Sequence, residues 1–311
     1  MTAMAYVALV GAGLLVLYVV LSFQVYRRAF VPDRPSFLDD FTFTPFEFQA
    51  DYEEAELVTA DGVNFGAWHF RQPGSPQTVI VSGGHKGQRQ NSLGISAALW
   101  RKGFNVILYS YRGMPGSDRA PVTFGIKEVL ELQAAIAFAR KRIPKARIGL
   151  LGYSMGAVVS LLGAAGEPGV QALVLDSPFS DLRTLMIENV RRSSKLPGAP
   201  FVWLAGIMLR LRTRIRISEC SPRDVLSSLE PRPLFFIHGG ADDITSVNHS
   251  RRLYDAYRGP REIWIVQGAP HAGAYFADRP LYVERVAGFF ARHLGLDVSG
   301  HLRLVEEEEV S

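Results

Sequence analysis

The 311-residue chain lacks several features that would direct its reading elsewhere. It holds a single cysteine, Cys220, which excludes an internal disulfide framework and any metal site built from several thiolates. A lone cysteine of this kind behaves as a small, inert hydrophobe. No internal repeat is visible, so repeat architectures are set aside. Charged residues make up only 21% of the chain, and the net charge is only +4. The basic residues are scattered rather than concentrated, which argues against a nucleic-acid partner; a mildly basic balance suits an anionic membrane surface instead. The longest absence is local: no charged residue occurs from Ala3 to Phe23.

What is there begins with that same stretch. AMAYVALVGAGLLVLYVVLSF is apolar over about 20 residues, the length that crosses a hydrocarbon core. A secretory signal peptide is the competing reading. It requires a basic n-region, a shorter apolar stretch and a small-residue cleavage site. No Lys or Arg precedes this run, and the residues after it are QVYRRAF. An uncleaved single-pass anchor over 3–23 is therefore expected. Arg27 and Arg28 follow directly, and the positive-inside rule then places the remaining chain in the cytoplasm.

Residues 24–45, rich in Pro, Asp and Phe from about residue 29, read as a linker. From 46 to 296 the pattern alternates between strand and helix. Strands are expected at 55–60 and 63–70 around the turn Asp61-Gly62, then at TVIVSGG, NVILYSY, RIGLLGYS, ALVLDSP, PLFFIHGG and REIWIVQG. Several are nearly continuous apolar runs, as parallel strands buried on both faces require. Helices are expected at 91–102, 124–142, 155–165, 247–258 and 281–294. This alternation predicts an α/β fold with a mostly parallel sheet and helices on both faces. The interval of about 183–230 has no strand pattern and reads as a helical insertion over one end of the sheet. Its segment PFVWLAGIMLRLRTRIR is apolar with interleaved arginines, a pattern that lies on a membrane surface or packs as a lid. The acidic tail, 297–311, reads as solvated.

In open α/β sheets ligands bind beyond the carboxyl ends of the strands. RIGLLGYS leads into Gly152-Tyr153-Ser154-Met155-Gly156 and then a helix, the arrangement of a nucleophile elbow. A serine hydroxyl needs a base, and the base needs an orienting acid. PLFFIHGG ends in Gly240-Ala241-Asp242-Asp243, and REIWIVQG ends in Gly268-Ala269-Pro270-His271. An acid and a histidine therefore follow the serine, each just beyond a strand. Of the seven histidines only His271 has this position; His238 lies inside a strand and reads as structural. Asp242 is the expected acid, with its neighbour Asp243 left open. An oxyanion needs donors. The backbone N–H of Met155 is one, and the loop Gly83-Gly84-His85-Lys86-Gly87 after TVIVS supplies the other, assigned to His85 with Gly84 next. The side chains of His85 and Lys86 are expected to be solvated or to meet an acidic substrate group.

These motifs, with Tyr111-Arg112-Gly113, Pro115-Gly116-Ser117 and DSPFSDL at 176–182, resemble the α/β-hydrolase superfamily over roughly residues 50–295. The likeness is to its membrane-anchored, ABHD-type or serine-aminopeptidase-like branch. Two departures stand out: Gly83-Gly84 replaces a frequent His-Gly, and Ile244-Thr245 replaces a frequent Val-Pro. The resemblance implies a serine esterase or lipase-like hydrolase acting on an ester or thioester, with a lipid or acylated small-molecule substrate expected. A peptidase on the same triad and a non-catalytic membrane-tethered scaffold are the alternatives. No metal or organic cofactor is expected.

Overall fold

The computed structural model describes residues 3–33 and 43–296, so the middle of the expected linker and the acidic tail lie outside the described residues. The described chain falls into two compact units. The first joins the N-terminal stretch up to Val31 with Asp181–Ser221. The second joins Pro32–Ser180 with the chain from Pro222 onward.

The second unit is built on an eight-stranded sheet. In chain order its strands are β1 (Tyr52–Val58), β2 (Asn64–Phe70), β3 (Gln77–Ser82), β4 (Asn105–Tyr109), β5 (Arg147–Tyr153), β6 (Val170–Asp176), β7 (Leu234–Gly239) and β8 (Arg261–Val266). Their order across the sheet is β1-β2-β4-β3-β5-β6-β7-β8. The pairs β1–β2 and β2–β4 are antiparallel, and every later pair is parallel. Burial follows the sequence pattern. β3, β4 and β7 are buried along their whole length, while the edge strand β1 alternates half-buried and exposed positions. The Asp61-Gly62 turn joins β1 to β2 with Gly62 at φ +85°, a conformation glycine adopts without steric cost.

The chain's helices are α1 (Ala3–Phe30), α2 (Leu93–Arg101), α3 (Val129–Arg142), α4 (Met155–Ala165), α5 (Leu182–Ser194), α6 (Gly198–Thr213), α7 (Val247–Ala256), α8 (Ala274–Ala277) and α9 (Arg279–Leu294). One buried cluster gathers α3 and α4 with residues such as Leu150, Leu173 and Phe236. A second gathers α2 and α9 with Val81, Leu151 and Ile237. These are the alternating residues of the same strands, so helices cover both faces as the periodicity predicts. α4 is apolar on every side and almost wholly buried, as a helix under a sheet must be.

In the first unit, α1 continues to Phe30, so the helix outlasts the apolar run and takes in residues expected to begin the linker. Its residues from Ala3 to Leu17 are exposed, and its buried positions are Ser22, Tyr26 and Phe30. The insertion supplies α5 and α6, N-capped in α5 by Asp181, whose side chain accepts from the Thr184 N–H at 2.7 Å. The interval of about 183–230 is shared between the two units. The 3-10 run Pro222–Leu229 groups with the sheet, because Leu226 and Leu229 are buried in the α4 side of the core.

Candidate active site

The parallel strands deliver their motifs to one end of the sheet. β5 ends at Tyr153, and Ser154 makes the turn into α4 with φ +52° and ψ −115°. A non-glycine residue is strained there, by about 1–3 kcal/mol. The flanking glycines make the turn sterically possible. A Cβ on Gly152 would lie 2.3 Å from the Gly156 carbonyl oxygen, and one on Gly156 would lie 2.1 Å from the Ser82 carbonyl oxygen. The turn is also pinned from β6, since the Ser154 N–H donates to the Asp176 carbonyl at 2.8 Å.

Three of the expected residues are brought together. His271 Nε2 lies 2.9 Å from Ser154 Oγ, and His271 Nδ1 lies 2.7 Å from Asp242 Oδ2. A carboxylate only accepts, so Nδ1 carries the ring proton and Nε2 is left to accept from the serine hydroxyl. Asp242 Oδ1 accepts from the N–H groups of Ile244 at 2.9 Å and Thr245 at 2.7 Å. Asp242, rather than Asp243, is thus the carboxylate placed on His271. The Asp242 side chain is fully buried. That burial works to raise its pKa, but hydrogen bonds from His238 and His271, the His271 charge and the Thr245 N–H outweigh it and hold the carboxyl well below its usual range.

The loop expected to help bind an oxyanion lies beside the serine. A Cβ on Gly84 would sit 3.7 Å from Ser154 Cβ. Met155 opens α4 and is buried. The two side chains expected to be solvated are otherwise engaged. The His85 ring stacks on Phe124 with centroids 4.2 Å apart, and Lys86 Nζ pairs with Asp33 at 3.0 Å.

Two supports escaped the sequence reading. His238 is fully buried, with Nε2 2.8 Å from the Thr245 carbonyl oxygen and 3.2 Å from Asp242 Oδ2, and with Nδ1 2.7 Å from Ser250 Oγ. A carbonyl cannot donate, so Nε2 carries the proton and turns it toward the acid's loop. Its strand position does suggest a structural residue; what it supports is the carboxylate held against His271. The second support is Asp176, fully buried at the end of β6. It accepts from Ser177 Oγ at 2.9 Å and from Tyr282 Oη at 3.0 Å, and Ser177 Oγ in turn accepts from the Ala272 N–H at 3.2 Å. Ser177 and Ala272 both hold positive φ. Asp176 thus ties β6 to the residue that follows His271. Burial pushes its carboxyl up to about 6, against the hydrogen bonds from Ser177 and Tyr282. Arg112, by contrast, is buried between Asp61 and Glu131, so the Tyr111-Arg112-Gly113 motif serves the scaffold.

Among the described residues, no group of three or more His, Cys, Asp or Glu side chains is placed to hold a metal ion.

Comparison with known proteins agrees with this fold. Residues 79–199 match the model of the alpha/beta hydrolase fold family. The chain is 30% identical over 249 residues to the uncharacterized protein YqkD of Bacillus subtilis, covering 78% of this chain and 81% of that one. It is 26% identical over 262 residues to the uncharacterized protein YfhR of Escherichia coli K12, covering 81% and 84%. Among solved structures, the Pyrococcus furiosus esterase Pf2001 superposes with a TM-score of 0.69 at 26% identity, over 85% of this chain and 99% of that one.

Proposed function

The chain belongs to the α/β-hydrolase superfamily, and from that premise we propose that it is a membrane-anchored serine hydrolase cleaving carboxylic esters or thioesters through Ser154, His271 and Asp242. The observation that carries the reading is the unbroken hydrogen-bonded chain from Asp242 through both ring nitrogens of His271 to Ser154 Oγ. The esterase likeness of the neighbouring structure supports the same reaction class.

In this reading His271 Nε2 takes the hydroxyl proton as Ser154 Oγ attacks the acyl carbon. Asp242 keeps the ring in the productive tautomer and stabilises the imidazolium. The backbone N–H groups of Met155 and His85 receive the oxyanion. His271 gives the proton to the leaving oxygen or sulfur as that bond breaks. Water then attacks the acyl-enzyme with His271 again as base, which frees the carboxylic acid and restores Ser154. The chain needs no bound cofactor for these steps.

The apolar α1 is assigned as the anchor; Arg27 and Arg28 in its last turn, read by the positive-inside rule, support a cytoplasmic hydrolase unit. An anchored enzyme meets substrates that partition into the bilayer, so a lipid or acylated substrate is assigned. A panel of lipid esters, thioesters and aminoacyl amides, assayed with wild type and Ser154→Ala, tests the reading. Ser154-dependent turnover of esters or thioesters supports it. Turnover of aminoacyl amides alone would make the protein a peptidase. Turnover of none would return it to a scaffold.

A further inference from the structure

The first compact unit places the insertion against the assigned anchor. Tyr18 of α1 lies within the uncharged run, yet its hydroxyl donates to the Pro200 carbonyl at 2.9 Å and its ring meets Phe201 at 5.5 Å. The positions of α1 that lose exposure are Tyr18, Leu21, Ser22, Val25, Tyr26, Ala29 and Phe30, which recur at the helical repeat and so form one stripe. α6 turns small residues inward, with Gly198 and Ala205 buried, which lets helices approach closely. Tyr18 stands five residues before Phe23, the end of the apolar run. At about 1.5 Å per residue, the start of α6 therefore sits roughly 7 Å inside that run.

The exposed side of α6 fits the same level. From Leu196 to Leu209 no residue is charged, and Trp203 and Leu211 are 63% and 82% exposed. Basic residues flank the stretch: Arg191, Arg192 and Lys195 before it, and Arg210, Arg212, Arg214 and Arg216 after it. Beside Trp203 lies a pocket of about 290 Å³. Arg183, Arg210 and Arg216 line it together with Val202 and Ile207, and among the described residues no carboxylate lines it. An apolar wall topped by three guanidinium groups is complementary to an anionic headgroup whose acyl chains stay in hydrocarbon.

We propose that α6 is an interfacial helix that places Trp203 in the bilayer boundary and seats an anionic phospholipid headgroup among Arg183, Arg210 and Arg216. This rests on α1 being a membrane anchor. The insertion then belongs to the membrane as much as the anchor does, and the anchored protein selects its lipid surroundings.

The test uses the full-length chain reconstituted in vesicles of phosphatidylcholine with 20% phosphatidylglycerol, bromine being placed on the acyl chains of one lipid at a time. Trp203 emission is isolated by comparing wild type with Trp203→Phe, since Trp68, Trp100 and Trp264 remain in both. The expected result is Trp203-dependent quenching by brominated lipid, with brominated phosphatidylglycerol severalfold more effective than its mole fraction. Replacing Arg183, Arg210 and Arg216 by Gln should lower that excess to the mole fraction. Protein that floats with the vesicles but shows no Trp203-dependent quenching would overturn the placement of α6. Quenching in proportion to mole fraction in wild type would overturn the headgroup seat. Protein that does not float with the vesicles would overturn the anchor, and this inference with it.

Discussion

His238 Nε2 lies 3.2 Å from Asp242 Oδ2, both side chains being fully buried. The acid that orients His271 is therefore itself held by a second imidazole. Removing His238 leaves the Thr245 carbonyl and one carboxylate lone pair without their buried donor. His238→Ala is expected to lower stability by about 1–3 kcal/mol. It is also expected to lower kcat by up to roughly 100-fold through misplacement of the triad, with KM little changed. His238→Gln, which can still donate, should recover part of kcat. Chemical unfolding and ester kinetics on the three proteins check this, and equal kcat for wild type and His238→Ala would contradict it.

Asp242 and Asp243 are adjacent, but only Asp242 reaches His271 Nδ1, at 2.7 Å. Asp242→Asn is expected to lower kcat by roughly 10⁴-fold, because the amide favours the wrong ring tautomer. Asp243→Asn should stay within a few-fold of wild type. The ratio of the two kcat values decides the assignment.

The fold was largely legible in the sequence because its signals are local. Continuous apolar runs marked β3 to β7, and G-x-S-x-G with an acid and a histidine beyond later strands marked three side chains that meet in the fold. Two kinds of feature were not legible. The role of Asp176 depends on Tyr282, which is more than 100 residues away, and no local pattern joins them. The packing of α6 on Tyr18 likewise joins residues 182 positions apart. Helix ends slipped as well: α1 runs on through QVYRRAF, where polarity rather than any helix breaker suggested a boundary.

Asp176 gives stability a pH signature. Its carboxyl titrates at about 6 in the folded protein against 3.8 ordinarily, so the folded state holds the proton more tightly. The resulting contribution is fully present below pH 4 and is lost as pH rises through 6, an effect on the order of 3 kcal/mol. Asp176→Asn removes this slope. The melting temperature of the variant minus that of wild type should therefore rise between pH 4 and pH 7. A pH-independent difference would contradict the account.

Ser154 carries backbone strain that glycine does not feel. In the interior of a helix or strand Gly is about 0.5–1 kcal/mol less stable than Ala. At φ +52° and ψ −115° the order should reverse or vanish, since an alanine there bears about 1–3 kcal/mol of strain. Ser154→Gly is thus expected to unfold at no lower denaturant concentration than Ser154→Ala, with both variants inactive.

Gly156 has no space for a side chain, its built Cβ lying 2.1 Å from the Ser82 carbonyl oxygen. Gly156→Ala should destabilise by about 1–3 kcal/mol or more, as overpacking does, and should abolish activity by pushing β3 away from the elbow. A thermal melt and an ester assay read both effects.

The central claim is an activated Ser154, and labelling by a fluorophosphonate probe tests it most directly. The purified full-length protein is compared with Ser154→Ala and His271→Ala, all three confirmed as folded by circular dichroism. The account predicts rapid labelling of wild type, none of Ser154→Ala and little of His271→Ala. Folded wild type that stays unlabelled, or Ser154→Ala that labels as wild type does, would contradict it.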